Sequence, residues 1–160
     1  MSIWLSGLRS WSLKPMLVGS NPTMLTVCYN KSKMKDCIFC DIEKTIEEER
    51  IVYQDETWIA FYDKYPVTEG HVLLIPKRHV ETFFDLNIIE LNSLGLTIDI
   101  VKLALDKRFH PDGYNIGVNC GKAAGQSVMH CHVHIIPRYE GDMEDPRGGV
   151  RGVIPEKQKY

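Results

Sequence analysis

At 160 residues, with 44% hydrophobic and 25% charged side chains, the chain is sized and composed for one globular domain with one core. A net charge of −2 leaves no basic surplus for a nucleic-acid groove, and no run of about 18 apolar residues marks a membrane span. Five cysteines, an odd number without an evident secretory signal, argue against a disulfide framework and for a reducing cytoplasmic compartment.

Residues 1–34 keep neither a strand nor a helix period. Gly7, Pro15, Gly19 and Pro22 cut their apolar stretches, so no uninterrupted signal-peptide core forms. The expectation is a disordered extension, or a start placed upstream of the true one at Met24 or Met34. A domain over 35–141 and a tail over 142–160 are expected to follow. Cys37 and Cys40 form a C-x-x-C pair that fits a redox couple, a disulfide or half of a zinc site. From Arg50, IVYQD and TWIAFYD read as short strands. HVLLIPKR then reads as a central strand, because its apolar run is continuous. Asp63 closes the second segment, where a solvated carboxylate at a loop edge is the plain reading.

Asn87 with Glu90 forms a capping-box start for a helix. Leu91, Leu94, Ile98, Val101 and Leu105 make its apolar face, and Asp99, Lys102, Asp106 and Lys107 its solvated side. The helix is predicted to stop near Phe109, before the turn signal His110-Pro111-Asp112-Gly113. Tyr114, Ile116 and Val118 alternate with smaller or polar residues as another half-buried strand. The loop from Cys120 to Gln126 then reverses the chain. Asn119 falls either on a ligand face or in a turn-capping role.

The next stretch, GQSVMHCHVHIIPR, carries most of the chemistry. His130, His132 and His134 alternate with Cys131, Val133 and Ile135, the period of a half-buried strand. Such spacing predicts three imidazoles on one face, each ~6.5 Å from the next. A wet face is more often filled by Thr, Lys or Glu, so two functional readings stand out: a metal site, or a phosphate site with one imidazole as nucleophile. Gly121 and Gly125 let backbone N–H groups approach an anion, and Gln126 and Ser127 add side-chain donors. These neighbours favour phosphate. Beyond Arg138 the tail is polar and rich in Gly and Pro, with Arg147 and Arg151 among glycines. It reads as a solvated segment or one that closes over a phosphate chain.

The alternating His130–Ile136 run, with Ala124–Val128 before it and Pro137-Arg138 after it, resembles the pattern of the histidine-triad (HIT) family. The block from Tyr62 to His79 resembles the family's upstream motif, and the resemblance covers about Met34 to Gly141. It implies an α+β fold: an antiparallel sheet of about five strands, one long helix and short ones. It also implies a homodimer whose sheets continue across the interface. It supplies two further ligands for a structural Zn2+ site, giving Cys37, Cys40, His79 and His130. Asp63 matches the acidic residue that holds ribose hydroxyls, and Asn119 and Gly125 fall in nucleotide-binding positions. Lys64 departs from the apolar residue common at its position. His71 matches a family position, with no chemistry assigned to it.

The implied mechanism makes His132 the nucleophile that attacks an α-phosphate and forms a nucleotidyl-histidine. The carbonyl of residue 130 would orient its other nitrogen. His134 would bind a phosphate oxygen, with a cationic form allowed. Gln126 would stabilise phosphoryl charge, and Ser127 would serve the bridging or leaving oxygen. The substrate class is an AMP-containing nucleotide. Hydrolysis of dinucleoside polyphosphates leads, with nucleoside phosphoramidate hydrolysis and a non-catalytic nucleotide-binding module as alternatives.

Overall fold

The protein is described by a computed structural model covering residues 37–159. The N-terminal extension, the alternative starts and Cys28 lie outside the described residues. Five strands, β1 (Ile51–Gln54), β2 (Trp58–Tyr62), β3 (Val72–Pro76), β4 (Gly113–Val118) and β5 (Val133–Arg138), form one sheet in the order β1-β2-β3-β5-β4. Every neighbouring pair is antiparallel. A short helix α1 (Ile42–Thr45) precedes the sheet, and the long helix α2 (Ile88–Phe109) links β3 to β4. This is the α+β architecture expected.

All five residues of β3 are buried because both faces of the sheet are covered there. On one face Trp58, Ala60, Val72, Leu74, Val133 and Ile135 pack with Val101 and Leu105 of α2. On the other, Ile59, Phe61, Leu73 and Ile75 pack under Phe39, with Ile42 at the edge. Phe39 thus lies over the face from which His134 also projects, since His134 pairs with Leu73 in the ladder.

Helix α2 starts as its sequence dictates. Asn87 Oδ1 accepts from the N–H groups of Ile89 and Glu90 at 2.9 and 3.0 Å, and Glu90 Oε2 accepts from Asn87 N–H at 2.8 Å. It ends at His110, whose left-handed φ of 51° stops the helix. The predicted apolar face needs one correction. Leu91 is 40% exposed, whereas Glu90 is 1% exposed. The reason is Arg78, just past β3, whose Nε and Nη2 donate to the Glu90 carboxylate at 2.9 and 2.8 Å. A buried carboxylate is tolerated when its charge and lone pairs are met.

The histidine stretch needs a second correction. The ladder begins only at Val133, so His130 and His132 precede the strand. Cys131 N–H donates to the carbonyl of Val80 at 2.7 Å instead of to a neighbouring strand. The face is not wet: His130 is 0% and His132 4% exposed. Phe39 covers both edge-on, at 5.9 and 5.5 Å between ring centroids.

The tail is folded. Arg138 grips Asp142 through Nε and Nη2 at 2.7 and 2.6 Å and donates from Nη1 to Asn115 Oδ1 at 2.6 Å. Two 3-10 turns, Gly149–Val153 and Pro155–Lys157, follow. Among the described residues, no helix is long and apolar enough to cross a membrane.

Candidate active site

The three histidines part company. His130 turns toward the N-terminal cysteines, with its Nδ1 3.5 Å from Cys37 Sγ and 3.7 Å from Cys40 Sγ, while His79 Nδ1 lies 3.2 Å from Cys40 Sγ. A tetrahedral zinc with ordinary bond lengths sets sulfur and nitrogen ligands ~3.6 Å apart. Cys37, Cys40, His79 and His130 can therefore hold a metal, and one donor atom from each lies within 4.8 Å of the others. His130 Nε2 donates to the carbonyl of Pro76 at 2.9 Å, which leaves Nδ1 as the lone-pair nitrogen. Burial pushes the His130 pKa down to about 4, so the ring is held in the neutral state a metal ligand needs. Among the described residues, no candidate metal cluster combines all three triad histidines.

His132 Nδ1 donates to the carbonyl oxygen of His130 at 2.8 Å. That bond fixes the tautomer and leaves the Nε2 lone pair free. Nε2 has no partner among the described residues and is not sealed from solvent.

His134 stands beside it, with ring centroids 5.1 Å apart. Its Nδ1 lies 3.1 Å from Nε2 of His71. Val67 N–H donates to His71 Nδ1 at 3.2 Å, so the proton of His71 sits on Nε2 and is given to His134. The proton of His134 then sits on its Nε2, which is buried and without a partner. Burial, with help from His132 and His71, lowers the His134 pKa to about 4. That shift favours a neutral N–H donor over the cationic form that the sequence reading also allows. His71, left without a role by the sequence, is the residue that sets this. Its signal was Gly70-His71 at the mouth of a buried strand, which only becomes legible once β3 and β5 pair.

Asp63 Oδ2 lies 3.6 Å from His71 Nδ1, and Oδ1 accepts from Tyr65 N–H at 3.0 Å. Burial lowers the His71 pKa, opposed by Asp63. Gly125 carries a φ of +86° and Gly121 one of +82°, the left-handed turns that glycine permits. The Gly125 and Gln126 N–H groups are already bonded to the carbonyls of Lys122 and Gly121. The Gln126 side chain is also committed: Nε2 donates to Glu81 and Val128 carbonyls at 2.6 and 3.0 Å, and Oε1 accepts from Gly121 N–H at 2.7 Å. In this conformation Gln126 holds the loop in shape and donates nothing outward. Ser127 is exposed, and Ser127 and the Asn119 side chain have no partner among the described residues. Cys131 is buried with its thiol pushed up to about 12, an inert packing group.

A cleft of about 700 Å³ opens beside His134. Asp63, His71 and Asn119 line it, as do Ile136 and the tail residues Val150 and Val153. Arg147 and Arg151 do not. Arg147 pairs with Asp145 at 2.9 Å, and Arg151 donates to the carbonyl of Lys157 at 3.0 Å.

Known proteins resemble this chain in sequence and fold. An uncharacterized HIT-like protein of Methanocaldococcus jannaschii is 43% identical over 112 residues, 68% of this chain and 83% of its own length. An adenylylsulfatase of Arabidopsis thaliana is 35% identical over 67% of this chain and 54% of its own length. The asymmetrical bis(5'-nucleosyl)-tetraphosphatase of Schizosaccharomyces pombe is 38% identical over 60% of this chain and 53% of its own. The chain thus spans about half the length of these two enzymes. Among solved structures, SMU.412c of Streptococcus mutans matches with a TM-score of 0.64 and 39% identity, over 71% of this chain and 72% of that one. A Zn-bound histidine triad family protein of Mycobacterium smegmatis matches with a TM-score of 0.61 and 34% identity, over 69% and 80%. The HIT domain family model runs from residue 44 to 141, through β1–β5, α2 and all three histidines, and the chain belongs to that family.

Proposed function

We propose that the protein is a nucleotide hydrolase that attacks an α-phosphate through His132, with dinucleoside polyphosphates as the substrate class. One observation carries the reading: the His132 Nδ1–H bond to the His130 carbonyl, which leaves Nε2 bare beside a second neutral ring. As Nε2 bonds to phosphorus, the bond from phosphorus to the leaving oxygen breaks and the leaving nucleotide departs. His134 Nε2–H donates to a non-bridging phosphoryl oxygen. Ser127 hydroxyl serves the departing oxygen, and Asn119 and the backbone after Gly125 line its path. Water then displaces the imidazole from phosphorus, releasing a nucleoside monophosphate. Asp63 accepts from the ribose hydroxyls of the retained nucleotide.

The relatives' activities, an adenylylsulfatase and a tetraphosphatase, support attack on nucleotide phosphorus and leave the leaving group open. The second reading is a phosphoramidate hydrolase, which the same two rings would serve. The non-catalytic module is disfavoured by the bare Nε2 of His132. Cys37, Cys40, His79 and His130 take zinc in this reading, supported by the Zn-bound relative and the ~3.6 Å spacing. The metal ties the N-terminal turn to the segment before β5 that carries His132, outside the reaction itself. The edge position of β4 suits a second copy that continues the sheet, and the cysteine usage suits a reducing cytoplasm.

The test is single-turnover mass spectrometry with diadenosine tetraphosphate and with adenosine 5'-phosphoramidate. The unaltered protein should show an added AMP mass on His132. His132→Asn should show none while still binding AMP. Turnover without a covalent adduct would overturn the reading.

A further inference from the structure

Residues 63–71 form the loop from β2 to β3 and carry His71 at their end. Asp63 N–H donates to the His71 carbonyl at 2.9 Å and closes the base of the loop. His71 is 2% exposed, but Val67, whose N–H holds His71 Nδ1, is 69% exposed, and Tyr65 is 78% exposed. A loop that buries so little apolar surface opens locally at small cost. The bond that fixes the His71 tautomer therefore depends on a segment that its own packing does not hold.

Two side chains hold it instead. The β3–β5 ladder stops at Val72 and Ile135, and beyond that rung the ties between the loop and the end of β5 run through side chains. Thr68 Oγ1 donates to the carbonyl of Pro137 at 2.5 Å. Tyr139 Oη, just past β5, donates back to the carbonyl of Glu69 at 3.0 Å. Thr68 also accepts from His71 N–H through its own carbonyl, at 3.2 Å. It is thus bonded to His71 on one side and to the strand of His134 on the other. A third contact comes from α2. Gly70 has a φ of +79°, and a Cβ there would lie 2.9 Å from the Phe109 ring, so only glycine lets the loop lie this close to the helix.

We infer that Thr68 and Tyr139 are positioning residues for the reaction: they tie the exposed loop to β5 and so keep the His71–His134 pair in one proton arrangement. The inference rests on the hydrolase reading above and adds what holds its second ring. Neither residue lines the cleft beside His134, so both act through His71. With the ties made, the loop has one position against β5, and Val67 N–H meets His71 Nδ1. His71 then gives its Nε2 proton to His134 Nδ1 at 3.1 Å, and the proton of His134 stays on Nε2, the nitrogen assigned to the phosphoryl oxygen. Without either tie, Val67 N–H drifts from His71, and His71 is free to move its proton to Nδ1. His134 then loses the donor that fixes its tautomer, because bonds in such a chain support one another. Reactive groups serve only while their supports hold them within about 0.5 Å of the productive geometry.

The experiment takes the full-length chain and three variants, Thr68→Val, Tyr139→Phe and Thr68→Ser. Long-range proton–nitrogen NMR correlations of the histidine rings read the tautomers of His71 and His134 without substrate. The unaltered protein and Thr68→Ser, which keeps the hydroxyl, should show both rings protonated at Nε2. In Thr68→Val and Tyr139→Phe the His134 signals should move toward an average of the two tautomers. In the same two variants kcat on diadenosine tetraphosphate should fall about tenfold while KM changes by less than about twofold, the signature of misplaced catalytic groups. Unchanged tautomers in both variants overturn the inference, even where kcat falls, because a merely structural loss of folded protein would do the same. Displaced tautomers with full kcat overturn it as well. If the unaltered protein turns over no nucleotide, the hydrolase reading fails on its own, and the spectra still decide whether Thr68 and Tyr139 hold the pair.

Discussion

His71 Nε2 sits 3.1 Å from His134 Nδ1, with the two ring centroids 5.3 Å apart. Because Val67 N–H holds the other nitrogen of His71, the pair has one proton arrangement that satisfies every inner atom. That arrangement places the remaining proton of His134 on its buried Nε2. His71→Ala removes the donor and frees His134 to take the opposite tautomer. A hydrogen bond lost in a buried site costs about 1–3 kcal/mol, so kcat should fall about 10- to 100-fold with little change in KM. Steady-state kinetics check this, and a change confined to KM would count against the relay.

His134 carries a pH signature. Its pKa is about 4 in the folded chain against 6.5 for a free ring. Between those values the unfolded chain binds the extra proton, so falling pH favours unfolding. The stability that the neutral ring contributes is fully present above about pH 6.5 and is lost as pH falls toward 4. His71 and His130 shift the same way and add to the slope. Thermal melting from pH 7 to pH 4 should show declining Tm, and His134→Asn should flatten part of that decline.

Chelation separates structure from chemistry. Removing metal from the Cys37, Cys40, His79 and His130 set should lower Tm by about 10 °C or more, because binding energy at such a site is folding energy. Below the new melting point turnover should persist. Differential scanning fluorimetry with EDTA, run beside an activity assay, reads both. Loss of turnover in protein that is still folded would restore a catalytic metal.

Arg78 and Glu90 form the buried ion pair that displaced Leu91 from the core. Arg78 is 26% exposed and Glu90 2%, so Arg78→Met strands a carboxylate and should cost about 2–4 kcal/mol, short of a fully sealed pair. Arg78→Met/Glu90→Leu should cost less than Arg78→Met alone. Urea denaturation midpoints decide, and equal losses in the two variants would show that the pair is not what matters.

Gln126 makes three side-chain bonds, to Gly121 and Val128 nearby and to the Glu81 carbonyl past β3. Gln126→Ala should loosen Gly121–Ser127 and lower kcat about 10-fold or more, as catalytic donors drift from place. Gln126→Glu keeps the acceptor for Gly121 N–H but loses the donation to Glu81 and Val128 carbonyls. It should therefore be at least as impaired. Full activity in either variant would remove Gln126 from the loop's support.

Periodicity and caps are local, so the sequence alone determined them. The Asn87 capping box, the stop at His110 and the apolar run of β3 each depend on residues within a few positions. The motif resemblance likewise named Cys37, Cys40, His79 and His130 together, across 94 positions of chain. Which way each ring faces was decided only in three dimensions. Alternation predicts one wet face for His130, His132 and His134. Instead Phe39, arriving from the other end of the chain, covers the first two, and the ladder starts only at Val133. The same holds for Glu90, buried because Arg78 reaches it from just past β3, and for His71, which matters because antiparallel pairing sets it against His134. A side chain's charge state and tautomer depend on partners far along the chain, and only the packed fold brings those partners within bonding distance.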